Sequence, residues 1–161
     1  MIFVTVGTQD KQFRRLLEEV ERLIKNGKII DTVIAQIGNT KFKTDLDSKH
    51  MHLIEFTTQR EIEALIQNAD LIITHGGVAT IIESLNMNKK VIAVPRLKKY
   101  KEHVNDHQLQ IVENFNHSGY IIGTTGVEGL ENALERAQDF VPKRYNSNNE
   151  KFVERLVNSI I

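Results

Sequence analysis

The chain has 161 residues, 40% hydrophobic and 26% charged, the proportions of an ordinary globular protein of one domain. Lys plus Arg and Asp plus Glu each total 21, so the formal charge is zero, which speaks against a nucleic-acid binder with its basic excess. The absence of cysteine removes disulfides, thiolate metal sites and cysteine nucleophiles together, and suits a reducing cytoplasm. No apolar run approaches the ~20 residues that span a bilayer. The opening Met1 to Gly7 enters a strand pattern at once, so no signal peptide is expected.

Ile2 to Val6 is a β-branched and aromatic run stopped by Gly7, the pattern of a buried strand. Phe13, Leu16, Leu17, Val20, Leu23 and Ile24 recur at helical spacing along one apolar face, and Asn26-Gly27 ends that helix. Val33 to Ile37, stopped by Gly38, predicts a second strand, the polar stretch Asn39 to His50 a loop, and Met51 to Phe56 a third strand. Thr58 with Glu61 forms a capping box that opens a helix through Ile62, Leu65 and Ile66. Leu71 to Thr74 predicts a fourth strand, His75-Gly76-Gly77 a turn, and Val78 to about Met87 a helix. Val91 to Val94, ended by Pro95, predicts a fifth strand. A basic loop from Arg96 to Lys101 leads to a helix from about Asn105 to Phe115, and Tyr120 to Ile122 predicts a short sixth strand. Two helical patterns follow, Leu130 to Phe140 and a C-terminal helix over about 148–161. In the latter, Phe152, Val153, Leu156, Val157, Ile160 and Ile161 form a wide apolar face, which either packs on the chain's own sheet or docks a partner.

Strands alternate with helices, which predicts a Rossmann-like, doubly wound α/β domain with a parallel sheet covered on both faces. Ligands of such sheets bind beyond the carboxyl ends of the strands. The turns after strands one, three, four and five are therefore the candidate site.

The first turn, Gly7-Thr8-Gln9, pairs one glycine with two hydrogen-bonding side chains near a helix start, a setting that favours an anion. It lacks the further glycines of a dinucleotide fingerprint and the lysine of a P-loop, so taken alone it reads better as a plain turn. In the fourth turn, Gly76 and Gly77 allow close approach of a ligand to the backbone, and the following helix aims its free N–H groups at the same spot. Thr80 and Glu83 share one face of that helix, where a carboxylate suits vicinal hydroxyls such as those of a ribose. An exposed helix glutamate after a glycine turn explains the pattern equally well.

The fifth turn holds His103, Asn105, Asp106, His107 and Gln108. His103 and His107 have a metal-gripping spacing, but the cluster is rich in amides and suits sugar hydroxyls better. Helix capping by Asn105 or Asp106 is the plainer alternative. The run Arg96, Lys98, Lys99, Lys101 reads as a solvated loop, or else as a face for an anionic substrate or membrane surface. Ser84 lies within a helix and has no nucleophile-elbow motif.

His75-Gly76-Gly77-x-x-Thr80-x-x-Glu83, then Pro95, then His107-Gln108, resembles the donor domain of two-domain GT-B glycosyltransferases of family 28. Val4-Thr5-Val6-Gly7-Thr8-Gln9 and Asn105-Asp106-His107-Gln108 narrow the resemblance to the Alg13 family and its bacterial exopolysaccharide relatives of the PssE and EpsF type. It covers Ile2 to about Ile122. It implies that residues 1–161 are one nucleotide-sugar-binding domain, the donor half of a split enzyme. The other half would be an Alg14-like membrane-anchored partner that binds a lipid-linked sugar acceptor, with catalysis at the cytoplasmic face of the membrane.

On this resemblance Gly7, Thr8, Gln9, His75, Gly76, Gly77 and Thr80 surround the diphosphate of a UDP-sugar. Phe56 and Thr57 meet the uracil, Glu83 holds the ribose, and Asp106, His107 and Gln108 meet the hexose. Galactose, N-acetylglucosamine and glucose all fit. Transfer inverts the anomeric centre, with a base from the partner chain and no metal or other cofactor. Asp45-Leu46-Asp47 lies in a polar loop rather than at a strand end. Abundant Asn, Lys and Ile lean towards a bacterial exopolysaccharide or capsule role. The alternative is a non-catalytic nucleotide-binding domain or an epimerase-like fragment.

Overall fold

The computed structural model describes residues 1–146 and 150–160, with side chains up to residue 158. Its strands are β1 (Ile2–Thr5), β2 (Val33–Gln36), β3 (Met51–Ile54), β4 (Leu71–Thr74), β5 (Lys90–Ala93) and β6 (Ile122–Gly123). Its α-helices are α1 (Arg14–Lys25), α2 (Gln59–Asn68), α3 (Val78–Asn86), α4 (His107–His117), α5 (Leu130–Ala137) and α6 (Glu150–Ile160). The strands pair in the order β3-β2-β1-β4-β5-β6, all parallel. This is the doubly wound sheet that the alternation predicts.

Successive residues of the central strands point to opposite faces, and both faces are apolar. Val4, Ile73 and Ile92 pack under α1 and α5, while Phe3, Ile72 and Val91 pack under α2, α3 and α4. The predicted capping box is present: Thr58 Oγ1 accepts from Glu61 N at 3.2 Å, and the Glu61 carboxylate accepts from Thr58 N at 3.0 Å. The last strand begins later than the sequence suggests. Tyr120 and Ile121 turn into the core beside α4, and only Ile122 and Gly123 pair with β5.

The C-terminal helix packs on α4 rather than on the sheet. Phe152 and Leu156 are buried, and Phe152 meets Phe115 and Tyr120 edge-on, with ring centroids 4.8 and 5.1 Å apart. Val153 and Val157 remain exposed on the other side of α6. The expected contributions of the Ile160 side chain and of Ile161 lie outside the described residues. Phe152→Ala should destabilise the chain by about 3–5 kcal/mol, the usual cost of emptying a buried aromatic site. Val157→Ser should change stability by less than about 0.5 kcal/mol. Urea unfolding of both variants checks the contrast.

Candidate functional site

The winding of the sheet reverses between β1 and β4, so their chains leave to opposite faces and part above the carboxyl edge. A cleft of about 430 Å³ opens there. Gly7, Thr8 and Gln9 line it from the β1 turn, Thr57 and Gln59 from the start of α2, and His75, Gly77, Thr80 and Glu83 from β4 and α3. Residues read from three separate turns of the sequence thus meet in one place.

The floor of the cleft is tightly built. Gly7 has a φ of +79°, and a Cβ there would lie 2.6 Å from His75 Nε2; a Cβ on Gly77 would lie 2.4 Å from His75 Cε1. The imidazole is thus held between two glycines, and a side chain at either would displace it. Thr5 Oγ1 donates to Gln36 Oε1 at 2.6 Å and accepts from Gly7 N at 3.2 Å. Asn39 Nδ2 donates to the carbonyls of Thr8 and Gln9, at 3.2 and 3.1 Å, pinning the rest of the turn. α3 starts after Gly77 with no side-chain cap, so its first N–H groups are left for a ligand.

Glu83 is half-buried, and its Oε1 accepts from Gln59 Nε2 at 2.9 Å. Its Oε2 has no hydrogen-bond partner among the described residues and is available to hydroxyls. Sequence reasoning passed over Gln59, Asn39 and Gln36. The capping box was the one available signal: it fixes Gln59 as the first residue of α2, at the carboxyl edge.

Five expected residues lie elsewhere. Phe56 is exposed and lines a neighbouring cavity of about 600 Å³ with Phe42, Lys41 and Glu55, whereas the next residue, Thr57, lines the cleft. Asp106 and His107 stand outside the cleft at the start of α4. Asp106 Oδ1 accepts from Lys98 N at 2.9 Å, and Asn105 Oδ1 accepts from His107 N at 3.0 Å, so both acceptors serve the loop and α4 begins only at His107. Gln108 is buried beneath the floor, against the expectation of a sugar contact. Its Oε1 accepts from both Gly76 N and Arg96 N at 3.1 Å, and its Nε2 lies 3.2 Å from His75 Nδ1. Gly76 is likewise buried behind the lining rather than on it.

Arg96 also overturns its reading as a solvated loop residue: its side chain is 0% exposed. The guanidinium donates to the carbonyls of Val6, Lys11 and Glu102 and lies over the Phe13 ring, 5.1 Å from its centroid. Buried Glu102 in turn accepts from Arg15 through both oxygens, at 2.7 and 3.1 Å, and from Leu97 N at 3.1 Å. This network ties the β5 turn to the β1 turn. In the polar loop, Asp45 pairs with Lys25 and Asp47 with His50, each at 2.9 Å.

Residues 1–160 match the glycosyltransferase family 28 C-terminal domain. The chain belongs to this family. It is 34% identical over 99 residues to the UDP-N-acetylglucosamine transferase subunit ALG13 of Candida glabrata, an alignment covering 59% of this chain and 47% of that one. It is 29% identical over 120 residues to the UDP-N-acetylglucosamine–N-acetylmuramyl-(pentapeptide) pyrophosphoryl-undecaprenol N-acetylglucosamine transferase of Streptococcus thermophilus, covering 74% of this chain and 31% of that one. The chain thus spans less than half the length of either relative. A solution structure of ALG13 superposes with a TM-score of 0.62 at 22% identity, over 99% of this chain and 96% of that one, which speaks to the shared fold. The domain is Alg13-like in sequence family and in architecture.

Burial, and secondarily the charge of Arg96, pushes the His75 imidazole down to about 3, so it is neutral at pH 7. An unfolded histidine titrates near ~6.5. Between those values the unfolded chain binds a proton that the folded chain refuses. The stability contribution of His75 is therefore complete above the unfolded value and is lost as pH falls towards the folded one. Between pH 6 and pH 4, the wild type should lose about 2 kcal/mol more stability than a His75→Asn variant. Urea unfolding at the two pH values measures this, and equal losses would show that the ring protonates in place.

Proposed function

We propose that this chain is the donor-binding half of an inverting UDP-sugar glycosyltransferase. It moves a hexose onto a sugar carried on a polyprenyl diphosphate, in glycan-precursor, exopolysaccharide or capsule synthesis. The observation that supports this reading best is the convergence of Thr8, Gln9, the free start of α3 and Glu83 on one cleft of a family 28 donor domain.

In this reading the Glu83 carboxylate, steadied by Gln59, accepts from the ribose hydroxyls. Thr8, Gln9, Gly77 and Thr80 surround the diphosphate, with His75 beneath it. Thr57 stands beside the uracil, and Phe56 reaches the base only from outside the cleft. Asp106, the N-cap of α4, and His107, its first residue, would meet the hexose only where it extends beyond the cleft. The acceptor hydroxyl attacks the anomeric carbon as the bond to the β-phosphate oxygen breaks, and the configuration inverts. A base takes the hydroxyl proton. The departing UDP is stabilised by N–H groups and the dipole of α3 rather than by a metal ion.

The base is assigned to an Alg14-like partner, which also carries the acceptor site and the membrane anchor. The printed name of the Candida glabrata relative, a transferase subunit, supports a divided enzyme. Among the described residues no helix is long and apolar enough to cross a membrane. On this reading the chain therefore reaches the cytoplasmic face of the membrane through its partner. UDP-N-acetylglucosamine, which the names of both relatives carry, is the first donor to assay.

Charge-assisted hydrogen bonds are worth roughly 1.5–3 kcal/mol each. Losing two of them in Glu83→Ala should weaken UDP binding more than about a hundredfold without unfolding the chain. Calorimetric titration of the folded variant checks this, and an unchanged affinity removes Glu83 from the site. Transfer from UDP-N-acetylglucosamine, UDP-glucose or UDP-galactose to a lipid-linked acceptor should appear only when the partner is co-expressed, and should survive EDTA. Robust turnover by the isolated chain would refute the division of the enzyme. Inhibition by EDTA that a divalent ion reverses would refute the metal-free mechanism.

A further inference from the structure

A side-chain amide has one oxygen and one NH₂ group, and only the oxygen accepts. At Gln108 two backbone donors, Gly76 N and Arg96 N, converge on the same atom, each at 3.1 Å. That atom must be the oxygen. The NH₂ group is thereby turned towards His75 Nδ1, 3.2 Å away, and a donor there requires a bare, accepting Nδ1. A neutral imidazole with a bare Nδ1 carries its hydrogen on Nε2. Nε2 is the ring atom closest to where a Cβ on Gly7 would stand, 2.6 Å from it, and lies 2.8 Å from the corresponding point on Gly77. Among the described residues no group bonds to Nε2, and His75 lines the cleft.

We propose that Gln108 is a positioning residue: it fixes His75 as the tautomer whose Nε2–H is presented to the cleft between Gly7 and Gly77, and locks the β4 and β5 turns in register. This deepens the UDP-sugar reading, on which it rests for one element, that the Nε2–H donates to the diphosphate. Gln108 then acts on the nucleotide through His75 and not on the hexose. Two turns and one ring depend on a single amide, so no other side chain of similar size substitutes for it. Asparagine is too short, a carboxylate has no donor for Nδ1, and methionine bonds none of the three.

The test uses the full chain labelled with ¹⁵N. Long-range ¹H–¹⁵N correlation spectra at neutral pH read the protonation of each ring nitrogen, and the His75 signals are identified by their loss in His75→Asn. The wild type should show one His75 species with Nε2 protonated and Nδ1 bare. In Gln108→Glu the carboxylate still accepts from Gly76 and Arg96 but turns a second oxygen towards Nδ1, so a proton should move onto Nδ1. In Gln108→Met the two tautomers should mix, and the affinity for UDP, which has no hexose, should fall by about tenfold.

A residue that only filled space would not move the ring proton, and a hexose contact would leave UDP affinity intact. A wild-type His75 protonated on Nδ1 overturns the proposal. So does a Gln108→Glu variant whose Nδ1 stays bare, or a folded Gln108→Met variant with unchanged UDP affinity. The wild-type and Gln108→Glu spectra decide the matter if the methionine variant does not fold. A wild type that binds no UDP overturns the phosphate role of Nε2–H together with the proposed function. A wrong tautomer with intact UDP binding overturns only the role of Gln108.

Discussion

Two neighbouring strands in the middle of the sheet send their chains to opposite faces, and the site follows from that constraint. β1 turns towards α1 and β4 towards α3, so no covalent segment bridges the carboxyl edge between them. The space that remains has backbone for its walls. Backbone can form such walls only where side chains are missing, which is why Gly7 and Gly77 face each other across the gap. The gap between them is filled by one flat ring, His75, which leaves no room for a Cβ on either side. The fold thus creates a cleft whose floor is fixed by sterics before any ligand arrives.

Polar groups beneath that floor supply its rigidity. Burying such groups is unfavourable unless they are bonded. Arg96 meets three carbonyls, Glu102 meets Arg15 and a backbone N–H, and Gln108 meets two backbone N–H groups and a ring. These bonds tie the turns after β1, β4 and β5 to one another and to α1 and α4, so they hold the segments that the sheet itself leaves unpaired. Burial draws the Arg96 guanidinium down to about 10, while Glu102 works in the opposite direction. It stays charged at neutral pH, and its hydrogen bonds to the Val6 and Lys11 carbonyls span both ends of the turn that carries Gly7, Thr8 and Gln9. A mobile turn would have to be ordered at the cost of ligand affinity, whereas this one is ordered in advance.

Much of this was legible in the sequence, and the limit of legibility is physical. Alternating apolar runs of two periods determine a doubly wound sheet, because each strand must be covered on both faces and each helix on one. That the turns carrying Gly7, Thr8, Gln9, His75, Gly77, Thr80 and Glu83 meet was recognisable because turns at strand ends converge in such a sheet, but singling out these residues took the family resemblance, since the β1 turn alone reads as a plain turn. Direction was not recognisable. Position along the chain places Gln108 near the cleft, but only the three-dimensional path shows its amide turned beneath the floor and Arg96 folded inwards. A basic residue among lysines looks solvated until the carbonyls that surround it are known. Phe56 failed in the same way: it lines the next cavity, while its neighbour Thr57 lines the cleft. The apolar face of α6 carried no mark of its partner, and it is the aromatic cluster with Phe115 and Tyr120 that settles Phe152 against α4.

The electrostatics of the cleft bear on how a diphosphate would be held. Among the described residues its lining includes Thr5, Thr8, Gln9, Gln36, Gln59, Thr80 and one carboxylate, Glu83, but neither lysine nor arginine. The Arg96 guanidinium, buried below the floor, is engaged with carbonyls. A helix N-terminus stabilises an anion by about 0.3–1 kcal/mol when exposed and up to about 2 kcal/mol when partly buried. Neutral N–H and hydroxyl donors add directional bonds, with little of the long-range attraction of a cation. Such a cleft discriminates by geometry rather than by charge: a free phosphate gains little there, while a nucleotide that also reaches Glu83 gains at both ends. Glu83 itself repels anions, so its presence at the rim is worthwhile only if a hydroxyl-bearing group arrives between it and the phosphates. Carboxylate and uncapped helix start, in one cleft without a lining lysine or arginine among the described residues, suit a ligand with hydroxyls at one end and phosphate at the other. On the function proposed above, a sugar nucleotide meets both ends of such a cleft, and a simple anion meets only one.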